Sequence, residues 1–213
     1  VNEELRLLQV QRKELADKLS EQRRNACGAL SEELQRDIRS LEMPHAVFKA
    51  VVTPKDRLTL TGGDSLDFMF SANGSGSLRD ISKVASGGEL SRVMLALKGL
   101  LARYTSLPTM IFDEIDTGVS GRIADKMGDM IGKMGERMQI FAITHLPQIA
   151  SKKGTHFLVY KEFGEDGAAR TGIRRIEGEE RVAEVARMLS GAELTEAAVE
   201  NAKVLLSKAG NQL

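Results

Sequence analysis

Three short segments carry residue types that could do chemistry, in the chain order Ser86–Glu89, Thr109–Glu114 and Gln139–His145. Ser86 and Glu89 have the spacing of a capping box, so Ser86-Gly87-Gly88-Glu89 would start a helix on local grounds alone. Two consecutive glycines are costly there unless something must approach closely. A glycine-lined helix start presents backbone N–H groups and the positive end of the helix dipole to an anion such as phosphate. The second segment is an apolar run that delivers Asp113 and Glu114 side by side. Two adjacent acids at the end of a buried strand are expensive without a cation to hold or a proton to move. The first carboxylate could hold Mg²⁺, directly or through water. The second could orient and deprotonate an attacking water. An acidic turn after a strand is the plainer alternative. His145 ends the third run, before Leu146-Pro147; a lone histidine is commonly structural, and His45 and His156 are read that way.

The elements that must position these residues change character along the chain. Residues 1–42 lack proline and carry glycine only at Gly28, and they are rich in Glu, Leu, Arg, Lys and Gln, good helix formers. Leu5, Leu8, Leu15, Leu19 and Ala26 fall on positions a and d of a heptad, interrupted by Arg12 and Gln22; Leu30, Leu34, Ile38 and Leu41 continue the stripe in a shifted phase. So narrow a stripe on a charged helix predicts one strand of a coiled coil, the alternative being an amphipathic helix packed on its own domain. The pattern is already under way at Val1 with no capping signal, so the chain is expected to be a piece of a longer protein. Pro44 ends the helix. Short strands are predicted over Val47–Val52, Leu58–Leu60 and Leu66–Phe70, with turns at 53–56 and 61–64, then a polar loop over 71–80. Helix and strand then alternate: helix 88–104, strand 109–112, helix 120–134, strand 139–144, a hairpin near 155–161 and 171–176 across Gly164–Gly167, and helices 179–189 and 194–208. Alternation of this kind predicts a parallel sheet flanked by helices, with chemistry at the carboxyl ends of its strands, where Asp113, Glu114 and His145 would sit.

Composition narrows the field. The 213 residues include 30 Lys+Arg and 30 Asp+Glu, a formal net charge of zero, so any nucleic-acid contact must be local or supplied by another segment. With no Trp and 4% aromatics the core must be aliphatic, and a base-stacking platform is disfavoured. Cys27 is the single cysteine, which excludes an internal disulfide and a multi-cysteine zinc site. No apolar run is long enough to cross a bilayer and no signal-peptide pattern opens the chain, so a cytoplasmic location is expected.

Taken in their fixed order, the three segments resemble the ABC ATPase superfamily. SGGE at 86–89 matches the signature, IFDE at 111–114 the Walker B strand, Ile115-Asp116-Thr117-Gly118 the D-loop and Thr144-His145 the switch histidine. A coil running into the signature lobe narrows the likeness to the SMC and RecN group. DEIDTGVSG from Asp113, ITHLPQIA from Ile143, the tail ARMLSGAELTEAAVENA and MPHAVFKAVV after the coil look like the RecN family in particular. The resemblance implies an α/β fold, the C-terminal lobe of an ABC/SMC-type ATPase head, with residues 1–43 as coiled-coil arm and 44–213 as the lobe. It implies ATP and Mg²⁺ as cofactors. Asp113 would help hold Mg²⁺ and Glu114 would be the general base. His145 would contact the γ-phosphate and sense its loss. Ser86, Gly87, Gly88 and Glu89 would clasp the γ-phosphate of ATP on a second head, and Asp116 would couple the two sites. Arg92 and Lys98, on the signature helix, are given no task. The implied partners are the chain's own N-terminal Walker A lobe, a second head, DNA and possibly recombination proteins, in double-strand-break repair by recombination.

One departure matters. No G-x-x-x-x-G-K-[ST] phosphate loop occurs; Gly62-Gly63 and Gly74-Ser75-Gly76 lack the following Lys and Ser/Thr. The chain alone is therefore expected to lack ATPase activity. Two other readings remain: a non-catalytic interaction module with a coiled-coil stalk and a degenerate ATPase-like lobe, and the C-terminal head of another SMC-type protein.

Overall fold

A computed structural model describes residues 2–74, 76–83, 86–163, 168–191 and 193–210. The turn expected across Gly164–Gly167 lies outside the described residues. The chain divides into two compact units, Val1–Leu100 and Leu101–Leu213.

Helix α1, Asn2–Ser40, opens the first unit, with Glu3 and Glu4 in its first turn and Arg39 in its last, each of the sign that the helix dipole favours. It ends where Glu42 takes φ +62 just before Pro44. The two halves of α1 behave differently. Leu5, Leu8 and Leu15 are 53, 56 and 66% exposed, so this part of the heptad stripe has nothing to pack on within the described residues. From Ala16 onward one face is covered, with Ala16, Ser20, Leu34 and Ile38 buried.

That face meets β1 (Val47–Thr59) and β2 (Gly62–Ser71), an antiparallel hairpin extended by the short β3 (Arg79–Asp80) in the order β1-β2-β3. The turn expected at 53–56 is absent: β1 runs through Pro54, and the register slips between Pro54 and Thr59 before the chain reverses at Leu60-Thr61. An edge strand tolerates proline because its outward N–H needs no ladder partner, and the slip absorbs the extra residues as a bulge does. Gly62, at φ +100, makes the reversal possible.

Helix α1 also completes the edge of the sheet. The Phe48 N–H donates to Gln35 Oε1 (3.1 Å) and the Ala50 N–H to Ser31 Oγ (2.9 Å), so donors that an edge strand would leave open are satisfied by helix side chains. Between α1 and β2 lies a buried polar cluster. Ser20 Oγ lies 2.8 and 2.7 Å from the Asp64 carboxylate oxygens, and Arg23 reaches Asp64 Oδ2 at 3.3 Å and the Thr61 carbonyl at 2.8 Å. Leu34, Ile38, Leu41, Ala46, Phe48 and Phe70 are buried, each large side chain among them stabilising the fold by about 1.5–3 kcal/mol. After a 3-10 turn at Ile81–Lys83 comes α2, Gly87–Tyr104, with Val93, Leu95 and Ala96 buried.

The second unit is an α/β arrangement. Strands β4 (Thr109–Asp113) and β5 (Gln139–Ile143) pair in parallel, from Thr109↔Gln139 to Asp113↔Ile143, joined by α3 (Gly121–Gly135). Met110 and Phe112 are buried, whereas Thr109, Ile111 and Asp113, on the opposite face of the strand, are exposed. A short helix α4 (Pro147–Ala150), not expected from the sequence, follows β5 and packs on α3. The two approach so closely that a Cβ on Gly128 would come within 2.8 Å of the Lys152 side chain and 3.3 Å of the Gln148 carbonyl. Lys152 Nζ bonds Asp125 (2.5 Å) and Asp129 (2.7 Å) of α3. Burial of this ammonium opposes its charge, but the two carboxylates outweigh that and hold its pKa above the ordinary lysine value. The antiparallel hairpin β6 (His156–Phe163) and β7 (Ala169–Ile176) comes next. Helices α5 (Gly178–Ser190) and α6 (Glu196–Lys208) close the unit around Val182, Val185, Ala186, Ala198, Ala202 and Leu206. Thr195 caps α6, its hydroxyl accepting from the Ala198 N–H at 3.2 Å. Among the described residues no helix is long and apolar enough to cross a membrane.

Candidate functional site

The parallel register decides what meets at the strand tips. Because Asp113 lies beside Ile143, the residues just beyond, Glu114 on one strand and Thr144-His145 on the other, leave the ladder as neighbours; the Glu114 N–H still donates to the Ile143 carbonyl at 3.2 Å. Glu114 sits at φ +47, a left-handed conformation that costs a residue other than glycine about 1–3 kcal/mol and persists only where the surroundings hold it. They do so here: its carbonyl accepts from the Thr117 N–H (3.2 Å) and the Thr117 hydroxyl (2.8 Å). Gly118, at φ +77, completes the turn. Asp113 and Glu114 are both exposed, so their carboxylates face solvent instead of being spent on internal pairing.

His145 projects from the other tip with its side chain 68% exposed. The sequence after it explains the placement. Leu146 is held extended (φ −96, ψ 123) before Pro147, which occupies the start of α4, where the missing N–H costs nothing. The Thr144 hydroxyl accepts from the Leu146 N–H at 2.9 Å, bracing the same bend.

Asp116 behaves unlike the other acids. It is completely buried. Its Oδ2 accepts a short hydrogen bond from the Thr144 hydroxyl, and its Oδ1 has no hydrogen-bond partner and lies 4.0 Å from His145 Nδ1. Thr144 therefore joins the site, although the sequence marked it only as the residue before the histidine.

Ser86, Gly87, Gly88 and Glu89 belong to the first unit. The Ser86 carbonyl accepts from the Leu90 N–H (3.0 Å) and its hydroxyl from the Glu89 N–H (3.4 Å), which is the helix start expected from the capping spacing. Ser86 and Gly87 are exposed and Gly88 and Glu89 half-buried; a Cβ on Gly87 would meet nothing within 4 Å. No internal packing therefore requires a glycine at 87. Arg92, given no task from sequence, ties this helix start to the end of the long helix: its Nε donates to the Gly88 carbonyl (3.0 Å) and its Nη1 to the Leu41 (3.0 Å) and Glu42 (3.2 Å) carbonyls. Burial lowers the Arg92 pKa against the opposing charges of Glu89 and Glu42, and it remains a cation. The Leu41 and Glu42 carbonyls lie some fifty residues before it in sequence, so no local pattern could have revealed them.

His45 and His156 stay outside this constellation. His156 starts β6, where burial and the neighbouring Arg181 charge lower its pKa against the weaker pull of Glu184.

The fold, a long helix leading into a sheet followed by a parallel strand pair, is similar to that of solved SMC head domains. The Smc head domain with a coiled coil and joint from Pyrococcus yayanosii is similar at TM-score 0.59 and 18% identity, over 74% of this chain and 28% of that one. An SmcHead bound to the C-winged helix domain of ScpA gives 0.56 and 19%, over 78% and 51%. At such identity the likeness shows the fold alone. No family model matches the chain. Curated relatives are nearer. DNA repair protein RecN of Bacillus subtilis is 37% identical over 209 residues, 91% of this chain and 36% of the relative. RecN of Rickettsia felis is 40% identical over 200 residues, 94% and 36%, and RecN of Vibrio cholerae 38% over 192 residues, 90% and 34%. The chain belongs to the RecN family as its C-terminal portion, and spans about a third of the length of the curated relatives it matches.

Proposed function

We propose that this chain is the C-terminal part of an ATP-driven, DNA-associated repair ATPase that acts in recombinational double-strand-break repair. The observation that carries the reading is the parallel register that makes Asp113-Glu114 and Thr144-His145 neighbours at two strand tips, in a chain related to DNA repair protein RecN. Glu114, exposed and held at a strained φ, is suited to take the proton of an attacking water. His145 would contact the γ-phosphate from the adjoining tip. Asp113 fits a divalent cation that keeps most of its waters. Among the described residues no cluster of three or more ligating side chains forms a complete metal cage, and Mg²⁺ is commonly held by one or two carboxylates together with substrate phosphates. When bound, Mg²⁺ would neutralise phosphate charge. Ser86, Gly87, Gly88 and Glu89 would clasp the nucleotide of a second head through backbone N–H groups. One similar structure is described as reporting ATP-driven dimerization and DNA stimulated activation of SMC ATPases, at TM-score 0.52 and 15% identity.

The open face of the parallel pair, Ile111, Phe141 and Ile143, would receive the N-terminal lobe that brings the missing phosphate loop. Without that lobe the chain would not turn over ATP. The test is Glu114→Gln in the full-length protein. ATP binding should persist, closed head dimers should accumulate, and turnover should fall about 100-fold or more. Unchanged turnover removes Glu114 from its role.

A further inference from the structure

We propose that Asp116 works within its own head as a positioning residue for His145, with Thr144 as the strut between them. This rests on the reading of His145 as the γ-phosphate contact. Three observations converge. Asp116 is completely buried, so its carboxylate serves neighbours inside its own unit. One oxygen is taken by the Thr144 hydroxyl, which itself accepts from the Leu146 N–H, so a single side chain fixes both the acid and the bend that carries the histidine. The other oxygen is unpartnered and lies 4.0 Å from His145 Nδ1. A buried carboxylate oxygen is an acceptor only, and the ring N–H is the donor that answers it; a movement of roughly 1 Å brings the pair to hydrogen-bond distance.

The consequence is directional. A ring whose Nδ1 faces Asp116 turns Nε2 the opposite way, out of the protein and beyond the strand tip, where the side chain is exposed. A buried carboxylate behind a histidine selects the tautomer with its proton on Nδ1 and holds the ring in one orientation. Thr144 keeps the distance short from behind. Asp116 touches no nucleotide and acts only through the imidazole.

The experiment uses the full-length protein. Asp116→Asn and Thr144→Val should each lower kcat by about 100-fold, the cost of misplacing a reacting group by an ångström, with KM for ATP unchanged. Thr144→Ser, which keeps the hydroxyl, should restore most of the rate. In a His145→Ala background, Asp116→Asn should cost nothing more, because the group it acts through is gone. ¹⁵N-histidine NMR without nucleotide, with the His145 signal assigned by its loss in His145→Ala, should place the proton on Nδ1 in the wild type and release it in Asp116→Asn. Equal losses with and without His145, wild-type kcat in Thr144→Val, or a tautomer indifferent to Asp116 would each overturn the inference. If the wild type shows no Glu114-dependent ATP turnover, the functional reading fails instead, and the NMR result still decides the Asp116 contact.

Discussion

Two of the three sheets among the described residues are finished to different degrees. In the first unit, α1 lies against β1 and β2, its Gln35 and Ser31 side chains take the N–H groups of the edge strand, and Phe48 is 1% exposed. In the second, one face of the β4–β5 pair is open: Ile111, Phe141 and Ile143 remain 63, 45 and 54% exposed on the face that also carries Asp113. Parallel ladders are ordinarily buried on both faces. The first sheet thus has its outer edge and one face answered by α1, though Val51, Leu60 and Leu66 stay exposed, whereas the pair that bears the acids and the histidine leaves the face of Asp113 open.

The largest effect is expected where the first unit is most finished: Phe48→Ala should destabilise it by about 3–5 kcal/mol, read by chemical denaturation. A loss under about 1 kcal/mol would mean that the sheet and helix are not held together by this core. Next comes the polar cluster between α1 and β2. Asp64→Ala removes the carboxylate that Ser20 and Arg23 share, leaving them only the Ala16 and Thr61 carbonyls, and should cost about 1–3 kcal/mol by the same measurement.

A smaller effect is expected in the second unit and depends on pH. The fold lowers the pKa of His156 below its usual 6.5, so the unfolded chain takes up the proton first as pH falls. Stability from this residue is fully present above pH 6.5 and is lost between there and the lower folded value. Thermal melts of wild type and His156→Gln should differ in slope across that window and run parallel above it; identical slopes would exclude His156 as the source. The smallest effect is at the signature turn. Gly87→Ala meets no neighbour and should change stability by less than about 0.5 kcal/mol. The full-length protein should nevertheless lose turnover, and a variant that is both stable and fully active would deny Gly87 its place in the nucleotide clasp.

Much of the fold was legible because its signals are local. Pro44 marks the end of α1, the apolar runs at 109–113 and 139–143 are strands, and Ser86 starts α2. Where the reading failed, longer-range context had overruled a local signal. Thr53-Pro54-Lys55-Asp56 has turn chemistry, yet it continues β1, because β1 is an edge strand and proline there sacrifices no ladder bond. Helix α4 was missed because four residues are too few for a periodic pattern, and Pro147 signals it only weakly.

At the candidate site the division is sharper. Sequence alone determined which residues stand at strand ends and helix starts, since the alternation of apolar and polar side chains and the positions of Gly and Pro are written into the chain. It also fixed the family likeness, through the segments around Asp113, Ile143 and Ala186. Only tertiary structure decided that Asp116 is buried while Asp113 and Glu114 are exposed, that Thr144 joins Asp116 to the bend before Pro147, and that Arg92 reaches the carbonyls of Leu41 and Glu42. The reason is physical: a side chain's burial and partners depend on residues brought beside it from distant parts of the chain, and the register of one strand against another sets those neighbours.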